Sequence, residues 1–348
     1  MAVTAYGTNA PNVVKLFSRK LIREALKKCT FAPYMGESSD SMIQVLNDTR
    51  KGPGDQITYQ LRMQLSGAGV AGDGTLEGNE EALTVYTDAL KIDQLRHAVR
   101  SGGKMSDQRI PFSVREEARM GLTDWWADRI DQAIINQLAG VTTQADLRYT
   151  GNNATIASSS GNIVYPLANE ASEVSISTTS LFNLAIIDRA VAKAKTVTPM
   201  LRPINTDGGD FYVMHIHPHQ TLSLRTSTTS GLWQDIQKFA GVRGTSNPIF
   251  TGALGVYNQV ILKENPRLPA ITTASSGTGR RAILTGAQAA VFAVGQNNSP
   301  EKMTWVEELF DYENQLGVSA GMIWGVKKCV FNSTDFATIV CPTTTVAP

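Results

Sequence analysis

Three of the chain's four histidines fall in one pentapeptide, His215-Ile216-His217-Pro218-His219. In a strand, the period of two sends all three imidazoles to one face. Imidazole nitrogens at that spacing can hold zinc, and H-x-H at a strand end is a pattern of metal-dependent hydrolases. A hydrolase centred on His215, His217 and His219 is therefore one reading of this chain. Supply counts against it: a hydrolytic two-metal site needs further ligands downstream, and the one other histidine is His97. Pro218 also breaks a regular strand at the second ligand. The plainer reading is a strand running into a polar turn, with no metal ligands.

A second pattern is Gly67-Ala68-Gly69-Val70-Ala71-Gly72, literally G-x-G-x-x-G after an extended segment. A dinucleotide site needs a helix directly after the glycines, so that its first amides meet the pyrophosphate. Here Asp73 to Glu81 follow, acidic and interrupted by Gly74 and Gly78. That run repels phosphate and starts no helix. The carboxylates of Glu77, Glu80 and Glu81 could gather round a hard cation, but a solvated or subunit-facing loop is the stronger reading. No G-x-S-x-G nucleophile elbow occurs. Cys29, Cys329 and Cys341 lie far apart without a C-x-x-C pair, which fits a reducing compartment rather than a disulfide framework. Nothing in these patterns demands an enzyme or a cofactor.

The elements that would carry these residues are clearer than the chemistry. With 348 residues, the chain has room for about two domains. Its 32 basic and 31 acidic residues leave a formal net charge of +1, which argues against coating nucleic acid by bulk electrostatics. Charged residues make up 18%, a low share that eases self-association. No apolar run reaches the ~18 residues of a membrane span; the most apolar stretch, 282–295, contains Thr285 and Gln288. No secretory signal is visible either. Residues 12–28 predict a basic amphipathic helix with Asn12 as N-cap and Val13, Phe17, Leu21 and Ala25 on its apolar face. It reads as a helix packed on the body, with contact to nucleic acid or a partner as the sharper alternative.

Ile57, Tyr59, Leu61, Met63 and Leu65 alternate with polar residues, which predicts a half-buried strand. A Gly-rich span follows from Gly67 to Gly78, then a second extended stretch from Leu83 to Leu95. This is a long hairpin whose tip exceeds the usual loop length. Ser113 and Glu116 form a capping-box pattern, and Val114, Ala118, Leu122, Trp126, Ile130, Ile134 and Leu138 repeat at helical spacing up to Gly140. About 26 residues at 1.5 Å each make a rod of roughly 40 Å. Beyond a Ser/Thr-rich excursion at 150–180, a helix is predicted over 180–197 and strands over 211–216, 256–262, 282–295, 322–331 and 336–341, with a weak helix at 232–239. Helices and strands interleave without a βαβ rhythm, so the class is α+β.

Long segments carry a resemblance. GPGDQITYQLRMQLSGAGVAGDGTLEGNEEAL, DQLRHAVRSGGKMSDQRIPFSVREEAR and LTDWWADRIDQAIINQLAG resemble major capsid proteins of tailed bacteriophages, typified by N-four-like podophages. NPIFTGALGVYNQVILKENPRLP and ELFDYENQLGVSAGMIWGVKKCVFN are similar to the same family. The resemblance implies an HK97-like fold: an N-terminal arm over 1–51, an extended hairpin loop over 52–100, and a peripheral domain over 101–180 with its spine helix at 113–139. An axial domain would occupy 181–300, and 301–348 would return to the peripheral domain. It further implies a structural protein of the virion, assembling as pentamers and hexamers round double-stranded DNA in the host cytoplasm. The short arm implies a separate scaffold protein or none, and a portal and a decoration protein are further expected partners. Contact with packaged DNA would be weak, and none with membrane is expected. Gly67, Gly69, Gly72, Asp73, Gly74, Glu77 and Glu80 are the expected inter-subunit contacts; no catalytic, cofactor or metal residue is implied.

Overall fold

The structure, a computed structural model, describes residues 30–47, 54–109, 113–206, 209–226, 255–272, 278–295 and 303–345. The strands in chain order are β1 (Met35–Gly36), β2 (Ile43–Leu46), β3 (Gln56–Arg62), β4 (Val85–Lys91), β5 (Asp93–Arg100), β6 (Ile204–Thr206), β7 (Gly209–Ile216), β8 (Gly255–Tyr257) and β9 (Val260–Glu264). Then come β10 (Ala270–Thr272), β11 (Thr278–Thr285), β12 (Ala290–Val294), β13 (Thr304–Phe310), β14 (Gln315–Lys328), β15 (Val330–Phe331), β16 (Thr334–Asp335) and β17 (Thr338–Thr344). The helices are α1 (Lys104–Arg109), α2 (Val114–Ala139), α3 (Leu184–Thr196) and α4 (Pro218–Thr226).

The first sheet is built on β14. One edge pairs antiparallel with β13 from Gln315 to Gly321 and with β12 from Trp324 to Lys328. The other pairs with β5 from Gly317 to Trp324. Past Trp324 that second edge is closed by side chains. Asn152 Nδ2 donates to the Trp324 carbonyl at 2.8 Å, and Asn153 Nδ2 donates to Val326 at 3.2 Å and to Lys91 at 2.9 Å. Buried backbone carbonyls need partners, and here a loop supplies them in place of a strand. Gly325 is required at this junction, because a Cβ there would collide with the Lys91 carbonyl oxygen.

Helix α2 covers one face of this sheet. Its buried stripe includes Leu122, Trp126, Ile130 and Ile134, packed on Phe292, Trp305 and Trp324. Trp126 meets Trp324 edge-on with ring centroids 6.3 Å apart. The start of α2 differs from expectation. Ser113 stands at the N-cap position, but its hydroxyl makes no capping bond; instead its carbonyl accepts from Glu116 and Glu117. Arg115 in the first turn reaches across to Glu307 of β13 at 2.7 Å, and Glu307 also accepts from the Trp305 indole. The C-terminus ends as predicted at Gly140, with φ 63°.

The second sheet runs β10-β11-β7-β9-β8, with β17 along the other edge of β11 and β6 beside β7. Helix α3, capped by the Asn183 side chain on the Ile186 amide, packs Ile187, Val191 and Ala194 on it. Strand β11 serves two cores. Ile283 points into the core under α2, whereas Ala282 and Leu284 point into the core under α3. Strand β7 does the same with Val213 against Tyr212, Met214 and Ile216. Alternation along a strand buried on both faces produces this sharing.

Several expectations need correction. The extended stretch 83–95 is two strands: β4 pairs in the hairpin, and after Ile92 β5 joins the first sheet. Residues 256–262 are a hairpin, turned by Asn258 and Gln259 at φ 45° and 63°. Strand pairing does not follow a division at residue 300, since β12 belongs to the first sheet and β17 to the second. The amphipathic stretch 12–28, Cys29 and the weak helix at 232–239 lie outside the described residues.

Replacing Gly325 by alanine is expected to lower stability by about 1–3 kcal/mol, the usual range for overpacking. Thermal unfolding of the subunit, compared with an exposed control such as Gly121→Ala, measures the loss.

Candidate inter-subunit surface

Strands β3 and β4 form a two-stranded ribbon apart from both sheets, in register from Gln56↔Lys91 to Arg62↔Val85. Such a ribbon is marginal alone, so its root is tied to the body. Ile57 and its partner Leu90 are buried. Tyr59 faces Asp88 across the ribbon, and its hydroxyl donates to the carboxylate at 2.6 Å. The Tyr59 ring meets Phe331 edge-on at 5.7 Å. Lys327, at the end of β14, ion-pairs with Asp88 and donates to the Ala89 carbonyl at 2.9 Å. Burial raises the Tyr59 phenol well above its ordinary range, so it stays a donor.

Above the root the ribbon opens into a loop. The Met63 amide donates to Thr84 at 3.0 Å as the last rung. Then Glu81 takes over. Its carboxylate accepts from the Ser66 amide at 2.8 Å and from the Gly67 amide at 2.7 Å. These backbone donors hold the Glu81 carboxyl below its ordinary value of 4.5. Residues 67–84 contain no strand or helix, and 64–85 are all exposed. Leu65, Leu76 and Leu83 show 58%, 62% and 58% of their surface, with no partner to cover them.

All seven expected contact residues lie in this loop. Gly69 and Gly72 have φ of 71° and 62°, conformations that glycine adopts without strain. Gly67 admits the Glu81 carboxylate, which would stand 2.8 Å from a Cβ there. Gly74 makes room for Val70, whose Cγ1 would be 2.6 Å from a Cβ. Asp73 and Glu77 make no hydrogen bond among the described residues, while Glu80 accepts from the Gly78 amide at 2.8 Å. The acids therefore do not converge on a cation. Glu81, the clamp at the neck, stands in the sequence only as one more acid of the run; nothing in its spacing singles it out.

The histidines also part company. Pro218 starts α4, as a proline at the first helical position can, so the pentapeptide is not one strand. His215 closes β7 fully buried, its ring 4.6 Å from Phe31 and 6.2 Å from Tyr34. Burial, aided by Lys263, pushes it down to about 3. His217 Nδ1 accepts from the His219 amide at 3.1 Å, and burial first, then Arg280, lowers His217 to about 4. Among the described residues no three metal-ligating side chains come together. Cys329 and Cys341 are buried free thiols pushed up to about 12 by burial, hence unreactive. No helix among the described residues is long and apolar enough to cross a membrane.

Comparison with known proteins points to one kind of molecule. The family described as phage capsid protein matches residues 5–347. The major capsid protein of Pseudomonas phage KPP25 is 29% identical over 93% of each chain. Among solved structures, the capsid of Ralstonia phage GP4 superposes with a TM-score of 0.81 at 30% identity, covering 100% of this chain and 99% of that one. The capsid of cyanophage Pam1 gives a TM-score of 0.77 at 21% identity, covering 93% of this chain and 94% of that one.

The clamp at the loop neck has a pH signature. A carboxylate lowered by native hydrogen bonds stabilises above its free value and loses that contribution as pH falls through the lowered one. Amide exchange at Ser66 and Gly67, corrected for intrinsic rate, is expected to be protected at neutral pH and to lose protection as pH falls below 4.5. In Glu81→Ala the protection should be missing at every pH.

Proposed function

The chain belongs to the phage capsid protein family, and we infer that it is a major capsid protein, a structural subunit whose copies close into the shell of a phage head. Its fold is of the HK97 type. It is not an enzyme, and the hydrolase alternative at His215, His217 and His219 falls with the parting of those side chains. The match over residues 5–347 carries this reading.

The finer assignment rests on physical argument. The sheet built on β14, with α2 as its spine, acts as the peripheral domain. The sheet built on β11, with α3, acts as the axial domain that meets its copies in pentamers and hexamers. The loop of residues 63–84 laps a neighbouring subunit. It exposes three leucines to water and is held at root and neck, an arrangement suited to an element whose partner is another chain. Each such contact is individually weak, and many repeated contacts sum to a stable shell. A separate scaffold, a portal and a decoration protein are further expected partners. DNA contact is a minor part of the assembly, which takes place in the host cytoplasm before the shell becomes part of the virion.

Removal of residues 68–79, joined by a short Gly/Ser turn, tests the role of the loop. The variant subunit should keep its unfolding temperature, because 64–85 is exposed throughout. It should sediment as monomers or small rings under conditions where the unaltered chain forms megadalton shells. Normal shells from the shortened chain would remove the loop from the assembly mechanism.

A further inference from the structure

The first sheet has a second face, away from α2. Residues directly opposed in antiparallel strands share a face, so the register maps this one in rows. Arg100, Gly317 and Glu308 form one row, Ala98, Ser319 and Val306 the next, and Arg96, Gly321 and Thr304 the third. The β5 and β13 members of these rows are exposed. The two glycines on the central strand make the face flat. A Cβ at Gly317 would stand 2.6 Å from the Phe310 ring, and one at Gly321 would stand 2.9 Å from Arg96 Cγ. The ring and the arginine stem therefore lie down across the sheet. The Arg100 guanidinium in turn stacks 4.3 Å above the Phe310 ring.

The result is a shallow platform with two arginines along its β5 side. Among the described residues neither Arg96 nor Arg100 has an ion-pair partner. One carboxylate, Glu308, shares the face, and the small residues of the central strand leave room for another backbone to approach. The loop described above has the complementary character. Between Met63 and Thr84 it carries Asp73, Glu77, Glu80 and Glu81 and no lysine or arginine. Its leucines match the apolar strip of Ala98 and Val306. Two arms of about eleven residues reach roughly 35 Å when extended, far enough to leave their own subunit.

We propose that the acidic loop 63–84 of one copy docks on this open face of the first sheet of a second copy, with Arg96 and Arg100 facing its carboxylates. The proposal rests on the reading of the loop as an inter-subunit element and adds its receptor. Electrostatic complementarity of this kind fixes register and excludes wrong partners more than it adds affinity, and it weakens with salt.

The test is charge reversal with rescue. The double variant Arg96→Glu, Arg100→Glu changes two exposed side chains, so the subunit should keep its circular dichroism and unfolding temperature while its yield of shells falls at least about tenfold, roughly the effect of 1.4 kcal/mol per contact. Adding Asp73→Lys and Glu77→Lys to that chain should restore shells. Reduced assembly without rescue, or unaltered assembly of the double variant, overturns the docking face. A second measurement needs no folded variant of the platform. A photo-crosslinking amino acid at Leu76, in shells mixed from light and nitrogen-15-labelled chains, should link between copies to peptides spanning 94–100 or 304–323. Links between copies to other peptides, or to a different protein, reject the platform while leaving the loop as an assembly element. Normal shells from the loop-shortened chain reject the underlying reading itself, so the two failures are told apart.

Discussion

Strand β14 has two hydrogen-bonding edges and must fill both along fourteen residues. That requirement organises half the molecule. β13 and β12 divide one edge between them, and β5 takes most of the other. Where β5 ends, Asn152 and Asn153 finish the edge with their amides. The same place fixes the hairpin, because Asn153 also grips both backbone groups of Lys91, the last residue of β4. At the end of β14, Lys327 reaches Asp88 and Lys328 is buried in an ion pair with Asp335 at 2.9 Å. Burial lowers the lysine and raises the aspartate from their ordinary values, and their mutual attraction opposes both shifts. Neither partner of such a pair can be removed without stranding the other away from water.

The second constraint is the sharing of β7 and β11 between two cores. An independently folded pair of domains would keep its hydrophobic clusters apart. Here adjacent residues of one strand, such as Ile283 and Leu284, belong to different clusters. The chain crosses between the sheets after Thr285 and returns before Thr338, so each lobe holds segments from distant parts of the sequence. The last strand, β17, lies along β11 through seven paired residues and closes the second sheet from the C-terminal side.

Much of this was legible in the sequence where a single period ruled. The α2 stripe and Gly140 follow from helical spacing and a left-handed stop, and the first strand of the hairpin follows from strict alternation. The long loop could be read from its glycines and acids. Legibility failed where a tertiary partner decided the outcome. Ser113 has the right type for a capping box, yet the first turn of α2 is held by Arg115 on Glu307, a partner nearly two hundred residues away. The break at Ile92 separates two strands because β14 recruits β5, and no local signal announces that. The histidine cluster misled through spacing alone, since Pro218 opens a helix as readily as it ends a strand. Glu81 was hidden by its neighbours: three similar acids surround the one that meets two amides.

One strand carries both ends of the proposed linkage. Lys327 holds the root of the subunit's own hairpin, and Gly317 and Gly321 lie under the platform for a neighbour's loop. About ten residues at roughly 3.3 Å each separate them along β14. A pull from one neighbour would thus enter near Gly317 and leave through Asp88 toward the next, running lengthwise along a strand laddered on both sides. Rungs loaded in that direction are stretched together rather than peeled one at a time. The subunit would then behave as a link in a belt, able to bear hoop tension from within while its bulk stays undistorted.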